Sequence, residues 1–429
     1  MVKRIVFLMS DTGGGHRAAA EAIMDALDIT HSGEVEMEMV DVFREYTPFP
    51  YKYMPEFYPW LINNSKSSWG VGYKLSNTRA RAKALSQGMY AYSESRLKQM
   101  TREHPADLVV CVHSVLTRPC MEAYAKLETR PQFVVVVTDL VSTHMFWYDR
   151  RADLTLVPTQ PAFDRGLKAG LAPDQMHITG LPVNPKFSER LKDQDVARAE
   201  LGWDPNLPAI LLVGGGDGMG PLFKTAKAIN TRRLQCQLAV VAGRNKQLKE
   251  RLETSVWNQP THVYGFVNNM PLLMGAADIL VTKAGPATLN EACIAGVPSV
   301  IYDAIPGQET GNVEWVVSND AGVFAPSPRQ VANAVESWLS SGGQELQRRA
   351  RAAAKIGTPN AVWEIADYVW EYAQRPQVVN PKRRRLADLT KLPAPRAIYR
   401  SGLTPLMRPR VRKRASRRLW RSVIRSKRI

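Results

Sequence analysis

His16 stands directly behind three glycines, Gly13-Gly14-Gly15, where the apolar run Ile5–Met9 gives way to a helix-forming stretch of alanines. An imidazole in the first turn of a helix projects beyond the strand end. The positive helix terminus lowers its pKa, so the ring stays neutral and can accept a proton. Asp11, five residues earlier, is either a second base or the group that orients His16; the plainer alternative is that His16 is structural. Glycine removes the Cβ that would hold a ligand off the backbone, so Gly14 and Gly15 suit a close approach, although they also permit a tight turn and nothing more. A second loop of this kind, LLVGGGDGMGP, carries Gly215 and Gly216. Neither loop fits the register of a dinucleotide fingerprint or a P-loop.

A further segment, VTKAGPATLNEACIAGVPSVIYD, adds a carboxylate. Pro286 sits where a first helical residue would, and Gly296 and Pro298 end the helix. The amides near Ala287 and Thr288 would then face an anion, with Glu291 one turn on and able to accept hydrogen bonds from sugar hydroxyls. A nucleotide sugar needs both features; read as structure alone, Glu291 is one more solvated helix residue. Arg244, in AGRN, is either a phosphate partner or a surface arginine.

The elements that must position these groups alternate between short apolar runs and helical patterns. The first half predicts strands at Ile5–Met9, Glu36–Val42, Leu108–Val112, Phe133–Val137 and Leu154–Val157. GLPVNPKF interrupts the series, and a second begins with Ala209–Val213, then Leu238–Val241, His262–Tyr264, Ile279–Val281 and Ser299–Tyr302. This is an α/β chain with two Rossmann-like domains, their parallel sheets facing across a cleft. The expected division is 1–187 for an N-terminal domain, 188–375 for a C-terminal one and 376–429 for a tail.

Composition narrows the class. Four widely separated cysteines, Cys111, Cys120, Cys236 and Cys293, fit no common metal spacing and read as buried free thiols. No window approaches the roughly 20 apolar residues a membrane span requires, and Val2–Met9 is too short for a signal peptide, which predicts a cytoplasmic protein. The net charge of +17 resides in the tail. From Pro376 onward 18 Lys and Arg stand against one acid, Asp388, leaving 39 of each sign before it.

The motifs SDTGGGHRAAAEAI, VVVTDLVSTHMFWY, GLPVNPKF, VYGFVNNMPLLMGAADILVTKAGPATLNEA and IPGQETGNVEWVV, in order from about residue 4 to 330, resemble the monogalactosyldiacylglycerol synthases and processive diacylglycerol glucosyltransferases of glycosyltransferase family 28. The resemblance implies the GT-B fold and inverting transfer of galactose or glucose from UDP-hexose to the sn-3 hydroxyl of 1,2-diacylglycerol. It also implies that Phe266 and Val267 hold the uracil, Glu291 the ribose, Gly215, Gly216, Ala287 and Thr288 the diphosphate, and Gln308 and Glu309 the sugar hydroxyls. Ala287 stands where the family often has glycine, and Met145 where proline is common.

Such a transfer needs a base for the acceptor's proton and stabilisation of the departing diphosphate. His16 is the first candidate base and Asp11 the alternative, while Gly14, Gly15, Asp139 and His144 lie on the acceptor side. A helix terminus and an arginine can stabilise the diphosphate, so neither a metal nor another cofactor is expected. The acceptor resides in a membrane, which gives two other segments a use. Residues 46–73 hold nine of the chain's 35 aromatics with four prolines interleaved and resemble neither a strand nor a regular amphipathic helix. Tyr58, Trp60 and Trp69 are expected at a bilayer interface. In VRKRASRRLWRSVIRSKRI, Ala415, Leu419, Trp420, Val423 and Ile424 fall on one helical face among arginines, as in a basic helix lying on anionic lipid. Nucleic acid is the rival partner for such a tail. The expected location is peripheral, on the inner face of the cell membrane.

Overall fold

Apolar runs such as Ile210-Leu211-Leu212 are buried on both faces, as strands of parallel sheets covered by helices must be. The structure, a computed structural model, describes residues 2–12, 15–216, 218, 220–340 and 343–380. Gly14, Trp420 and the stretch expected as a basic amphipathic helix therefore lie outside the described residues. In chain order the strands are β1 (Lys3–Met9), β2 (Val35–Asp41), β3 (Leu108–Cys111), β4 (Thr129–Arg130), β5 (Gln132–Val136), β6 (Leu154–Val157), β7 (Met176–Ile178), β8 (Ala209–Val213), β9 (Gln237–Val241), β10 (Thr261–Tyr264), β11 (Ile279–Lys283), β12 (Ser299–Asp303), β13 (Gly322–Phe324) and β14 (Val378–Val379).

Two six-stranded sheets result, β2-β1-β3-β5-β6-β7 and β10-β9-β8-β11-β12-β13. All their pairings are parallel. The second has the Rossmann order, with its switch point between β8 and β11; in the first the order reverses between β1 and β3. Ligands of open α/β sheets bind beyond the strand ends at such points. Gly15 stands there after β1, and Gly215 and Gly216 after β8. The ten strands expected from sequence are present within one or two residues, whereas β7 and β13, three residues each, carry too little pattern to be anticipated.

Packing redraws one boundary. The helix Ala361–Gln374, expected with the second domain, buries Val362, Ile365, Ala366 and Val369 against Ile5, Phe7, Leu108 and Val134 of the first sheet. It lies beside the helix Gly15–Thr30, and β14 then pairs antiparallel with β4. The reason is burial: the first sheet's outer face, lacking enough helices of its own, is completed by this apolar stripe at about 1.5–3 kcal/mol for each large side chain. Pro376–Asn380, expected to open the tail, belongs to the first lobe too, and Gln132 Nε2 donates to the Pro376 carbonyl at 2.6 Å. All four cysteines are buried and free.

The aromatic segment also departs from expectation, because it is helical: Met54–Asn64 and Lys66–Ser76. Pro55 occupies the first turn, where its missing N–H costs nothing. Ile62 and Tyr73 turn inward, whereas Phe57, Trp60, Val71 and Leu75 are exposed.

Candidate active site

His16 lies in the first turn of the helix after β1 and reaches across to the end of β3, where its Nδ1 lies 2.8 Å from the Val112 carbonyl oxygen and 2.9 Å from Thr138 Oγ1. A carbonyl oxygen only accepts, so Nδ1 carries the proton and Nε2 keeps a lone pair. Burial holds the ring's pKa down at about 4, which leaves it neutral at physiological pH. His113 packs against it with ring centroids 4.3 Å apart, and its Nε2 is 2.8 Å from Thr12 Oγ1.

Asp11 does not orient His16. Its two oxygens are taken by Arg17, from Nε at 2.6 Å and Nη2 at 2.9 Å, and this fork holds the carboxyl below its usual range. The physical cause is local: Arg17, in the first turn of the helix that starts at Gly15, satisfies both carboxylate oxygens at once, while His16 Nδ1 is engaged by Val112 and Thr138. Asp139 accepts from Trp147 Nε1 at 2.6 Å, and burial raises its pKa to about 6. His144 Nδ1 accepts the Phe146 amide at 3.1 Å, so the proton is on Nε2, 3.0 Å from Ser76 Oγ. It caps a short helix as well as lining the site.

His16, Asp139, His144, Tyr58, Trp69 and Gln308 line one cavity of about 450 Å³, with more apolar than polar surface. Tyr58 and Trp69, expected at a membrane interface, thus face inward, while Trp60 remains 58% exposed beside Phe57 at 47%. The cause is helical periodicity, which sends positions 58, 62, 69 and 73 to one side and 57, 60, 71 and 75 to the other.

The helices that carry Tyr58 and Trp69 also tie the lobes together. Tyr58 donates to Gln308 Oε1 at 3.1 Å, and Lys66 pairs with Asp303. A Cβ on Gly70 would stand 2.7 Å from Pro306, and one on Gly311 would stand 2.5 Å from Ser142 Oγ, which accepts the Gly311 amide at 2.9 Å. A Cβ at either glycine would force its neighbour in the other lobe to shift.

A second cavity, of about 230 Å³, adjoins through the consecutive pair Gln308 and Glu309. Lys66, Lys283, Asp303, Glu309 and Gly220 line it. Glu309 accepts the Ile305 amide at 2.8 Å, and burial raises its pKa. Lys283 was not anticipated; its signal was a single charge closing an otherwise uncharged, buried strand at the switch point. Its Nζ lies 3.6 Å from where a Cβ on Gly215 would be, so the cation lies over the second glycine loop.

Gly215, at φ +76°, and Gly216 lie against Arg244, whose amide donates to the Gly216 carbonyl at 2.8 Å. Its guanidinium stacks 4.3 Å from the ring centre of Phe266, itself 59% exposed. Ala287 and Thr288 form the first turn of the helix Pro286–Ile294, whose N-terminus no side chain caps. Glu291 is half-buried on that helix, its pKa raised to about 7 by burial. Neither cavity is lined by Glu291, Ala287, Thr288, Phe266, Val267 or Arg244. Gly15 is exposed, and no protein atom lies within 4 Å of where its Cβ would stand. Among the described residues no three His, Cys, Asp or Glu side chains gather as metal ligands, and no helix is long and apolar enough to cross a membrane.

Comparison with known proteins agrees with this architecture. Residues 16–183 match the family described as monogalactosyldiacylglycerol (MGDG) synthase, and residues 209–350 the glycosyltransferase family 28 C-terminal domain. A probable monogalactosyldiacylglycerol synthase 2, chloroplastic, of Oryza sativa subsp. japonica is 37% identical over 387 residues, 88% of this chain and 82% of that protein. Monogalactosyldiacylglycerol synthase 3, chloroplastic, of Arabidopsis thaliana is 36% identical over 88% of this chain and 83% of its own. Among solved structures, Acinetobacter baumannii MurG superposes with a TM-score of 0.56 at 17% identity, covering 86% of this chain and 99% of that one. The UDP-GlcNAc 2-epimerase of Neisseria meningitidis gives 0.57 at 13%, covering 86% and 100%. The two lobes are a GT-B fold, and the chain belongs to the monogalactosyldiacylglycerol synthase family of glycosyltransferases.

Proposed function

We propose that the protein transfers a hexose, galactose foremost, from UDP-hexose to the sn-3 hydroxyl of 1,2-diacylglycerol, inverting the anomeric carbon in one displacement and using no metal. The observation that carries this reading is the neutral His16 Nε2 in an apolar cavity that Gln308 enters from the opposite lobe. The acceptor hydroxyl enters beside Asp139, and His16 Nε2 takes its proton as the oxygen attacks. The sugar lies toward Gln308 and Glu309, where a buried carboxylate accepts hydrogen bonds from its hydroxyls. Lys283, Arg244 and the amides of Ala287 and Thr288 offset the charge left on the diphosphate, which is where transition-state stabilisation is needed. Glu291 accepts from the ribose.

A lipid acceptor explains why the cavity is apolar and why exposed Phe57 and Trp60 stand on the helices that close it. These residues, with the basic tail, would hold the protein against the inner face of an anionic membrane. The test is a donor screen with purified protein and diacylglycerol vesicles. Glycosyl-diacylglycerol formed from UDP-galactose, with less from UDP-glucose, is expected. No product from any UDP-sugar, with turnover on an undecaprenyl-linked acceptor instead, would replace the acceptor assignment.

A further inference from the structure

The second cavity, of about 230 Å³, is small for an extended ligand and suits a single sugar ring. Ile62 and Ile305 give it apolar surface, while Lys66, Lys283, Asp303 and Glu309 give it charge. Two cations against two acids leave the lining in balance, which fits an uncharged polyol better than another phosphate. Lys283 also lies over Gly215, so a hexose carried just beyond a diphosphate at that loop reaches this space. Ile62 and Lys66 come from the helices of the first lobe; the other four residues belong to the second.

The transfer chemistry above leaves Lys66 and Asp303 unused. Their side chains are 40% and 28% exposed, and an ion pair this open to solvent contributes little to holding two lobes together. Lys66 is fixed by other means. Its helix, Lys66–Ser76, is pressed onto the loop that follows Asp303: a Cβ on Gly70 would stand 2.7 Å from Pro306, and one on Gly307 would stand 2.9 Å from Tyr73. Packing therefore sets the ammonium at the cavity, and the ion pair is available for another purpose. Lys66 acts on the second acid as well. Burial, the largest influence, raises the pKa of Glu309, while the Ile305 amide, Lys283 and Lys66 draw it down.

A sugar hydroxyl both donates and accepts, and a carboxylate with an ammonium beside it satisfies both roles through charge-assisted hydrogen bonds. With UDP-hexose as the proposed donor, on which this step rests, we propose that Lys66 and Asp303 clamp the donor hexose from the two lobes, Asp303 accepting from a sugar hydroxyl and Lys66 Nζ donating to that oxygen or its neighbour. The sugar joins the ion pair, with the C–H groups of its ring against Ile62 and Ile305. The lobe that holds the acceptor thereby also binds the donor sugar. UDP ends at the diphosphate and makes neither contact.

The experiment is calorimetric titration of the full chain with UDP, UDP-galactose and UDP-glucose. Lys66→Met keeps the length of the side chain and removes its charge. This variant and Asp303→Asn are each expected to weaken binding of the UDP-hexose that the parent takes by about tenfold, the worth of one charged hydrogen bond, with UDP affinity unchanged. Lys66→Arg, which keeps the charge and the donors, should recover part of the loss, and melting curves check that the variants fold. Equal weakening of UDP and UDP-hexose would make the pair a latch between the lobes and overturn the clamp. A parent that binds UDP-hexose while Lys66→Met binds it as tightly overturns the clamp alone. A parent that binds UDP but neither UDP-hexose overturns the donor assignment, and the clamp with it.

Discussion

Tyr58, on a helix of the first lobe, donates its hydroxyl to Gln308 Oε1 of the second at 3.1 Å. One side chain of the aromatic segment therefore holds the amide assigned to the donor sugar. Removing the hydroxyl in Tyr58→Phe should free Gln308 to turn away, lowering kcat/KM for UDP-hexose about fivefold, the worth of a neutral hydrogen bond. UDP alone should bind as before. Equal loss of UDP and UDP-hexose affinity would show that Tyr58 acts on the fold instead.

His16→Ala should abolish turnover by a factor of about 10²–10⁴, the range for a lost general base. Because Nδ1 is tied to the Val112 carbonyl and Nε2 alone faces the cavity, His16→Gln should not restore it. Donor binding, measured by UDP titration, should change little. Asp11→Asn should instead loosen the Arg17 fork and lower the melting temperature while retaining most turnover.

Glu291 gives a pH dependence with a defined sign. Burial raises its pKa to about 7, so near neutrality the free protein holds it partly protonated. With Glu291 accepting from the ribose as proposed, its hydroxyls donate to the carboxylate form, and UDP binding should expel that proton. UDP affinity should therefore weaken as pH falls from about 8 to 6 and level off above 8. Glu291→Gln should bind UDP weakly with no such slope. A slope that survives the substitution would locate the titrating group elsewhere.

Gly311→Ala places a Cβ 2.5 Å from Ser142 Oγ, inside contact distance. The lobes should be pushed apart at the site, with kcat falling more than tenfold, since a displacement of about 1 Å costs some 10²-fold in positioned reactions. Small-angle scattering should show a larger radius of gyration, and UDP binding should persist because the second glycine loop is untouched.

Truncation after Asn380 should release the protein from anionic vesicles at low salt and spare UDP binding, since the deleted residues hold the whole charge excess. Cutting earlier, after Gln374, removes Val378–Val379 from β4 and the Pro376 carbonyl from Gln132, and should also lower the melting temperature. Vesicle binding that survives the later cut would leave the exposed Phe57 and Trp60 as the membrane contacts.

The sequence by itself determined the parts that depend on near neighbours. A buried parallel strand is a continuous apolar run, and a run that stops at glycine must turn, so Ile5–Met9, Ala209–Val213 and the two loops after them were legible without coordinates. The charge of residues 376–429 is likewise a property of composition. Tertiary structure alone decided which groups meet. Arg17 rather than His16 took Asp11, because a two-pronged guanidinium satisfies both carboxylate oxygens at once. Helical phase turned Tyr58 and Trp69 inward while leaving Trp60 outside, and aromatic content carries no phase until the helix ends are fixed. The helix Ala361–Gln374 crossed to the first sheet, because an apolar stripe records that it must be buried but not against what. Lys283 entered the site from a position hundreds of residues from His16, and no local pattern encodes a distance measured across a cleft.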